Sequence, residues 1–218
     1  MDIKGHFNTV HEHRKLVRNG CFKVGLYYQG LTHDLSKYSP SEFLVGLKYY
    51  QGYQSPNNAE RDVKGYSSAW LHHKGRNKHH YEYWIDYSSR IGGMVPVRMP
   101  DKYIVEMYMD RIAASKTYNK DKYTDAYPLE YYKKGKNFQL IEESTRKTLE
   151  LLLNMLSEKG EEVTEEYIRR KLLKGNPGAF IAQMIVNIRK IKRAKGNGGR
   201  TKLKRHNTYG NKKSKTNT

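Results

Sequence analysis

Histidines are concentrated at the start of this chain, since eight of the nine lie within the first 80 of its 218 residues. Together with aspartates they form a set spaced along the sequence, comprising His13, His33, Asp34, His73, His79, His80 and Asp110. Imidazole nitrogens and carboxylate oxygens are the mixed ligands that first-row transition metals prefer. A lone histidine in a basic, tyrosine-rich protein is usually an inert surface residue, but the joint pattern indicates a metal centre.

The spacing of these ligands restricts how they can meet. His33 and Asp34 are about 100° apart around a helix, so both reach one ion only where the helix ends or where the ion lies between their directions. His73 and His79 would be about 9 Å apart on a continuous helix, and the glycine and asparagine between them favour a break. Either a loop brings His73, His79 and His80 together, or the histidine pairs serve two ions.

The elements that position these ligands are expected to be helices. The spacing of apolar residues predicts a helix over 6–18 that turns His13 inward, followed by a buried helix over 21–37. Ser39-Pro-Ser-Glu42 then supplies an N-cap, a proline at the first helical position and a capping-box glutamate, starting a helix that runs towards Tyr50. The His-Asp pair is therefore expected at the end of one helix, just before a tight corner.

A helix beginning at Asp101 carries the last candidate ligand. Its pattern aligns Glu106 and Asp110 on one face among small residues, while the face bearing Ile104 and Tyr108 is expected to contact the core. The prolines before this helix interrupt a stretch that has room for a short hairpin.

Turn residues divide the rest of the chain. The segment from Gly52 to Gly65 is expected to be a loop. Residues 145–159 predict a leucine-rich helix closed by Gly160, and a second helix is expected from Thr164 to Gly175. Asn176-Pro-Gly178 marks the clearest boundary, after which an amphipathic helix becomes basic.

We therefore expect an all-α protein in three parts. These are a metal-binding helical domain at residues 1–160, C-terminal helices at 161–195, and a disordered basic tail at 196–218. The formal net charge is +19, and residues 189–218 contribute twelve Lys or Arg and no acidic residue. A segment with this charge and few apolar residues is expected to be disordered and to attract polyanions.

Several classes of protein are excluded by composition and motifs. Cys21 is the only cysteine, which excludes an internal disulfide framework and fits a reducing compartment. The sequence has no signal peptide and no apolar stretch of membrane-spanning length, so we expect a cytoplasmic protein. Gly92-Gly93 lacks the lysine and spacing of a phosphate-binding loop, and no serine stands in a nucleophile-elbow pattern.

Three segments carry a family resemblance. His33-Asp-Leu-Ser-Lys37 is similar to a His-Asp-x-Gly-Lys signature, with Ser36 in place of the usual glycine. His13-Arg-Lys-Leu-Val17 is similar to a helix in which a ligand histidine precedes a valine by one turn. The order His13, His33-Asp34, His73 with His79-His80, and Asp110 resembles the HD superfamily of metal-dependent phosphohydrolases over roughly residues 6–120. His73-x3-Asn77-x-His79-His80-x-Glu82 resembles a motif in an uncharacterised bacterial and phage branch related to that superfamily.

The resemblance implies an HD-like helical bundle holding one or two divalent metals, namely manganese, iron, cobalt or zinc, with Asp34 shared between two ions. It also implies hydrolysis of a nucleotide or related phosphoester by metal-activated water. Asp34 and Lys37 would be the catalytic residues, with Lys37 one helical turn after His33 and able to hold a phosphate oxygen. Arg76 and Arg111 would add phosphate contacts. The candidates for orienting the histidine ligands are Glu82 and Glu106.

Two other classes of function remain open. A nucleic-acid-binding protein would use the helix at 179–195 and the basic tail, with a structural or inactive metal site and steep salt dependence. The apolar stripe of Phe180, Met184, Ile188 and Ile191 would also suit an anionic membrane. We favour nucleic acid over a membrane because few large apolar residues follow Ile191. Neither alternative uses the His-Asp pair, so the sequence favours the hydrolase.

Overall fold

The computed structural model describes residues 1–202, and for residues 195–202 it describes the backbone alone. Within this range the chain folds into helices and one short hairpin, which confirms the all-α class. No helix of residues 1–202 is long and apolar enough to cross a lipid bilayer. Residues 203–218, which contain most of the tail predicted to be disordered, lie outside the described residues.

The helices and strands follow one another in a simple order. The helices are α1 (Ile3–Lys23), α2 (Tyr27–Thr32), α3 (Pro40–Lys48), α4 (Pro56–Lys64), α5 (Ser68–Lys74), α6 (Asp101–Asn119), α7 (Tyr127–Gly135), α8 (Glu143–Tyr167) and α9 (Pro177–Lys202). The strands β1 (Ile85–Ser88) and β2 (Gly93–Pro96) form the expected hairpin, antiparallel, with Tyr87 opposite Met94.

The core lies between α1, α6 and α8. The side chains of α6 from Ile104 to Met109 are all buried, which is typical of a helix enclosed by its neighbours. Val17 of α1 and Leu149 of α8 pack into the same apolar cluster, so the predicted core face of α6 is confirmed. The other face of α6, bearing Glu106 and Asp110, is left for the candidate site.

The single buried helix predicted over 21–37 is wrong. Helix α1 ends before a turn at Gly25, whose φ of 84° is a left-handed conformation that favours glycine. The backbone of Gly178, at the start of α9, packs so closely on Gly25 that no Cβ would fit there. Helix α2 is therefore a separate element, and its Tyr28 and Leu31, predicted to be buried, are exposed.

The loop predicted from Gly52 to Gly65 is also wrong, because it contains α4. Ser55 precedes this helix in an extended conformation, Pro56 occupies its first turn, and the closing glycine has a φ of 80°. Helix α4 carries the buried Glu60, which accepts a hydrogen bond from the Ser67 hydroxyl at 2.7 Å. This contact secures the start of α5, the helix that carries two of the histidines.

The C-terminal helices follow the predicted breaks only in part. Gly160 ends the leucine-rich part of α8 as expected, since its φ of 79° and ψ of 174° are not helical. The helix resumes at once instead of at Thr164, whose buried hydroxyl donates to the Gly160 carbonyl at 2.9 Å. A π-helical segment, Ile168–Leu172, leads to Asn176, which caps α9. Helix α9 includes residues 196–202, where the sequence predicts a disordered tail.

The cap of α8 generates a prediction about stability. The Glu142 carboxylate accepts hydrogen bonds from the backbone N–H groups of Ser144 at 2.9 Å and Thr145 at 2.8 Å. Partial burial raises the pKa of Glu142, but these hydrogen bonds outweigh it and lower the pKa from 4.5 to about 2. Because the folded state prefers the carboxylate, its stabilisation is complete above pH 4.5 and is lost as the pH falls towards 2.

We expect Glu142→Gln to lower the free energy of unfolding by about 1 kcal/mol near neutral pH. The difference from the wild type should shrink as the pH falls below 4.5. Chemical denaturation followed by circular dichroism at several pH values measures both effects. Glu158→Gln, on the exposed surface of the same helix, is the matched control and should change neither. A difference that persists unchanged in acid would contradict this account of the cap.

Candidate metal centre

A break in the helix places His33 and Asp34 side by side. His33 follows the last turn of α2 with a ψ of 125°, and Asp34 has a φ of 53° and a ψ of 27°. This left-handed conformation is rare outside glycine, and aspartate is among the residues that tolerate it. Arg14 secures the turn, because its Nε donates to the His33 carbonyl oxygen at 2.8 Å. Both side chains therefore point to one centre at the end of a helix, which is one of the two arrangements that the sequence allowed.

Four separate parts of the fold bring the other predicted ligands to Asp34. Helix α1 supplies His13 and α6, which packs against it, supplies Asp110. Helix α5 supplies His73, and the turn after it supplies His79 and His80. All seven predicted ligands thus meet in one place, and the five histidines and Asp34 are buried.

One oxygen of Asp34 faces the histidines of α5 and the turn after it. Asp34 Oδ1 lies 3.2 Å from His73 Nε2 and 3.3 Å from His79 Nε2. His80 completes this group, in which one ligand atom from each residue lies within 4.8 Å of the others. We call Asp34, His73, His79 and His80 the first ligand set.

The other oxygen faces α1 and α6. Asp34 Oδ2 lies 3.4 Å from His33 Nε2 and 3.8 Å from His13 Nε2. Asp110 Oδ1 lies 2.9 Å from His13 Nε2 and 3.7 Å from His33 Nε2. We call Asp34, His13, His33 and Asp110 the second ligand set. Asp34 belongs to both sets, because its two carboxylate oxygens face different donors.

The donor atoms fit divalent metals in chemistry and in spacing. Within residues 1–194, the Nε2 atoms of all five histidines and Oδ1 of Asp34 are buried without a well-aligned hydrogen bond, although His13 Nε2 lies 2.9 Å from Asp110 Oδ1. Such atoms are costly to bury, and a nitrogen lone pair that faces a carboxylate oxygen repels it unless a proton or a metal cation lies between them. Nitrogen and oxygen ligands about 2.1 Å from an ion lie about 3.0–3.4 Å from each other. Most of the nitrogen–oxygen distances in the two sets fall close to this range.

Glu106 orients one histidine from each set. Its Oε1 lies 3.0 Å from His33 Nδ1 and 3.2 Å from His79 Nδ1. If each Nδ1 donates its proton to this carboxylate, each Nε2 keeps a lone pair for a metal. The predicted orienting role thus has a geometric basis for Glu106. Glu82 Oε2 is buried without a hydrogen-bond partner, and no hydrogen bond among the described residues joins Glu82 to a histidine.

Glu42 orients a third ligand, and the sequence assigned it a different role. Its Oε2 lies 2.7 Å from His73 Nδ1 and its Oε1 lies 2.6 Å from His72 Nδ1. The predicted capping box is therefore wrong, and within the described chain Ser39 makes no side-chain cap either. Helix α3 packs against α5, and this contact brings Glu42 within hydrogen-bond distance of both histidines. Because the spacing of Ser39 and Glu42 matches a capping box, the sequence predicts a local role for Glu42 instead.

Ser36 also contacts the first ligand set, although it departs from the expected glycine. Its hydroxyl lies 3.2 Å from His73 Nδ1 and accepts a hydrogen bond from Asn77 Nδ2 at 2.8 Å. Asn77 Nδ2 also lies 2.9 Å from the His73 carbonyl oxygen. The serine and asparagine of the two sequence motifs therefore hold the same histidine.

Lys37 lies against the shared ligand. Its Nζ is 2.7 Å from Asp34 Oδ2. The backbone from Leu35 to Tyr38 forms a 3-10 turn, so the prediction that one helix continues to Lys37 is wrong. Burial lowers the pKa of Lys37, but Asp34 and Asp110 outweigh it and raise the pKa. Burial raises the pKa of Asp34, but His33 and Lys37 outweigh it and hold the pKa well below its usual range. The pair is therefore an ammonium and a carboxylate.

A cavity of about 580 Å³ opens beside the donors. His13, His73, His80 and Asp110 from the two sets are in its lining. Its cationic lining residues are Lys37, Arg61, Arg111 and Lys134. Within the described chain Arg111 Nε is buried without a partner, whereas Arg76 is exposed and outside the cavity. Of the predicted phosphate contacts, the structure brings Lys37 and Arg111 to the cavity but not Arg76.

The fold and these donors define an all-α protein with a buried cluster of histidine and carboxylate groups that could hold metal ions. The chain belongs to DUF5662, described as a family of unknown function, whose model matches residues 2–155. No curated protein and no solved structure matches the chain. Every donor of the two ligand sets lies within the matched residues, whereas α9 lies beyond them.

The two ligand sets generate a prediction about metal content. We expect His13→Ala to remove one of two bound ions, because it depletes only the second ligand set. His80→Ala should remove the other, and Asp34→Ala should remove both, since Asp34 serves both sets. Elemental analysis after reconstitution with manganese, iron, cobalt or zinc measures the stoichiometry. His11→Ala, at an exposed position of α1, is the control. Loss of both ions in His13→Ala would contradict two separable sites.

Glu42 allows a second prediction. Glu42→Gln should weaken metal binding to the first ligand set by about 10–100-fold, because an amide cannot accept from His72 and His73 together. Titration with Co²⁺, followed by its visible absorption, measures this affinity. Glu12→Gln, at an exposed position of α1, should bind as the wild type does. Unchanged affinity in Glu42→Gln would mean that the Glu42 contacts do not orient the ligand.

Proposed function

We propose that this protein is a metal-dependent phosphohydrolase of the HD type that acts on a nucleotide or a related phosphoester. One observation carries the proposal: five buried imidazole Nε2 atoms, none with a well-aligned hydrogen bond among the described residues, lie around Asp34 beside a cavity whose lining includes Lys37 and Arg111. An anionic ligand in this cavity would lie next to the donors and the cations at once. The ligand order along the chain and its resemblance to the HD superfamily support the same reaction.

The two ligand sets would hold two divalent ions of manganese, iron, cobalt or zinc. When bound, such ions lower the pKa of water and neutralise charge on a phosphoryl group. The chain's own contribution is to keep the donors in place. Glu106 and Glu42 hold the Nδ1 atoms of three ligand rings, and the burial of those rings limits the access of bulk water.

Lys37 and Arg111 are the residues we assign to the phosphoryl group. The ammonium of Lys37 is held by Asp34 at 2.7 Å, faces the cavity and stays protonated, so it can hold one phosphate oxygen. Arg111 follows the ligand Asp110 directly and also lines the cavity. Its Nε, buried and without a partner in the described chain, can donate to a second oxygen.

The rest of the cavity suits an aromatic group attached to the phosphate. Trp70, Tyr118 and Tyr131 contribute aromatic surface to the lining. The guanidinium of Arg61 lies 5.3 Å from the centre of the Trp70 ring, which leaves a cation beside an aromatic face. A volume of about 580 Å³ falls within the range for small-molecule and cofactor sites. These features support a nucleotide over inorganic phosphate.

We place this reaction in the cytoplasm, a compartment that is compatible with the single cysteine, Cys21, which is buried in the core. The second candidate function is nucleic-acid binding by α9 and the basic tail, which the exposed Arg189, Lys192 and Arg193 favour. It would use none of the metal donors. Asp34→Ala would then leave nucleic-acid affinity unchanged, and affinity would fall steeply with salt.

Hydrolysis assays of metal-free and reconstituted protein test the proposal. The substrates are p-nitrophenyl phosphate, bis-p-nitrophenyl phosphate, and a panel of nucleotides and cyclic nucleotides. We expect phosphate release that requires added metal and that falls to background in Asp34→Ala. Stoichiometric metal without hydrolysis of any of these substrates would contradict the enzyme and favour a structural metal site.

Lys37 separates catalysis from metal binding. Lys37→Gln should lower turnover by about 100-fold, because the positive charge that would hold a phosphate oxygen is lost. The protein should keep its metal, since Lys37 contacts the ligand Asp34 but is not itself a ligand. Steady-state kinetics and elemental analysis of the same sample measure both. Lys15→Gln, on the exposed surface of α1, should retain full activity. Wild-type turnover in Lys37→Gln would show that this ammonium does not act on the phosphoryl group.

A further inference from the structure

Helix α9 presents a continuous apolar face to solvent. Its exposed large apolar residues are Phe180, Ile181, Met184, Ile185, Ile188 and Ile191. With 3.6 residues per turn, these six side chains fall within an arc of about 140° on the helix. Phe180, in the first turn, is 73% exposed. The face is broader than the four-residue stripe read from the sequence, and the exposure of its six side chains ranges from 37% to 73%.

This face points away from the domain. The buried residues of α9 are Ala179 and Ala182, which lie on the opposite side of the helix. They pack on the π-helical segment, where Arg169 Nε donates to Gln183 of α9 at 2.9 Å. An amphipathic surface helix normally buries its large apolar residues against the core. In α9 the small residues are turned inward and the large ones outward.

Positive charge adjoins the apolar face. Lys192 lies at one edge of the arc and Arg189 lies just beyond it, and both are exposed. From position 189 to the end, the sequence carries twelve Lys or Arg and no acidic residue. No charged residue lies between Ala179 and Ile188. The part of the helix up to Ile188 is therefore uncharged and apolar, whereas the part that begins at Arg189 is strongly basic.

We propose that α9 docks the protein onto an anionic lipid bilayer surface, with its apolar face among the acyl chains and its basic residues at the headgroups. An exposed apolar arc bordered by lysine and arginine has the chemistry of a helix that lies in a membrane interface. Each Lys or Arg near an anionic surface adds to the attraction. Because α9 lies beyond the residues matched by the family, this docking is a property separate from the metal centre.

Charge distinguishes this occupant from two others. A second copy of the chain would bring another net charge of +19, which repels the first copy, whereas an anionic bilayer attracts it. A nucleic acid would bind the basic residues but would leave the six apolar side chains in water. A bilayer of anionic lipid satisfies both halves of the helix at once.

Vesicle co-sedimentation of the full chain tests the proposal. The probes are vesicles of phosphatidylcholine mixed with phosphatidylglycerol, and vesicles of phosphatidylcholine alone. We expect binding to the mixed vesicles that weakens with salt and is much lower without phosphatidylglycerol. Ile188→Glu should weaken binding by more than about tenfold. Arg189→Gln and Lys192→Gln should each weaken it by about fivefold.

The matched control is Phe138→Glu, which adds the same charge at an exposed aromatic residue away from α9 and should bind as the wild type does. Circular dichroism of each variant verifies that the helices are retained. Absence of vesicle binding by the wild type overturns the proposal. So does equal binding by Ile188→Glu, which would indicate attraction by charge alone. Duplex DNA binding or dimer formation without vesicle binding would assign α9 to the other occupants.

Discussion

A carboxylate buried among imidazole rings is the constraint on which the rest of the structure depends. Asp34 is 1% exposed, and a carboxylate taken out of water is costly unless positive charge or hydrogen bonds compensate. Lys37 supplies one positive charge at 2.7 Å. Burial lowers the pKa of His33, but Asp34 and Asp110 outweigh it and raise that pKa well above its usual value, so the carboxylates favour further positive charge at the centre. Protons on the imidazole rings supply this charge, and the proposed ions would replace them.

The contacts between helices bring the other donors to Asp34. The left-handed backbone at Asp34 costs roughly 1–2 kcal/mol, and the turn is secured by Arg14 from α1. The packing of α1 on α6 brings His13 to Asp110, and the packing of α3 on α5 brings Glu42 to His73. Each of these two contacts thus brings to the centre either a ligand or the carboxylate that orients one. The apolar core holds these helices rigidly enough for the donors to stay aligned.

The sequence predicted the parts of this site that depend on local patterns. Helical periodicity turned His13 inward and placed Glu106 beside Asp110, and the structure agrees with both. Contacts between distant segments could not be read in the same way. The role of Glu42 depends on α5 packing against α3, and the break at Gly25 depends on α9. Helix α4 has readable start and stop residues, but the glycines at the two ends of the segment predict a loop instead.

In α9 the large apolar residues face solvent and the buried residues are alanines, which indicates that this helix contributes little to the core. Ala179 and Ala182 give it enough contact to stay attached, and Arg169 ties it to both the π-helical segment and the end of α1 through the Lys23 carbonyl at 3.0 Å. Burying its large residues instead would stabilise the domain by roughly 1.5–3 kcal/mol for each side chain. A helix that leaves this stabilisation unused is suited to burying those side chains against something outside the domain. The candidate metal centre and α9 are then two separate features of one fold.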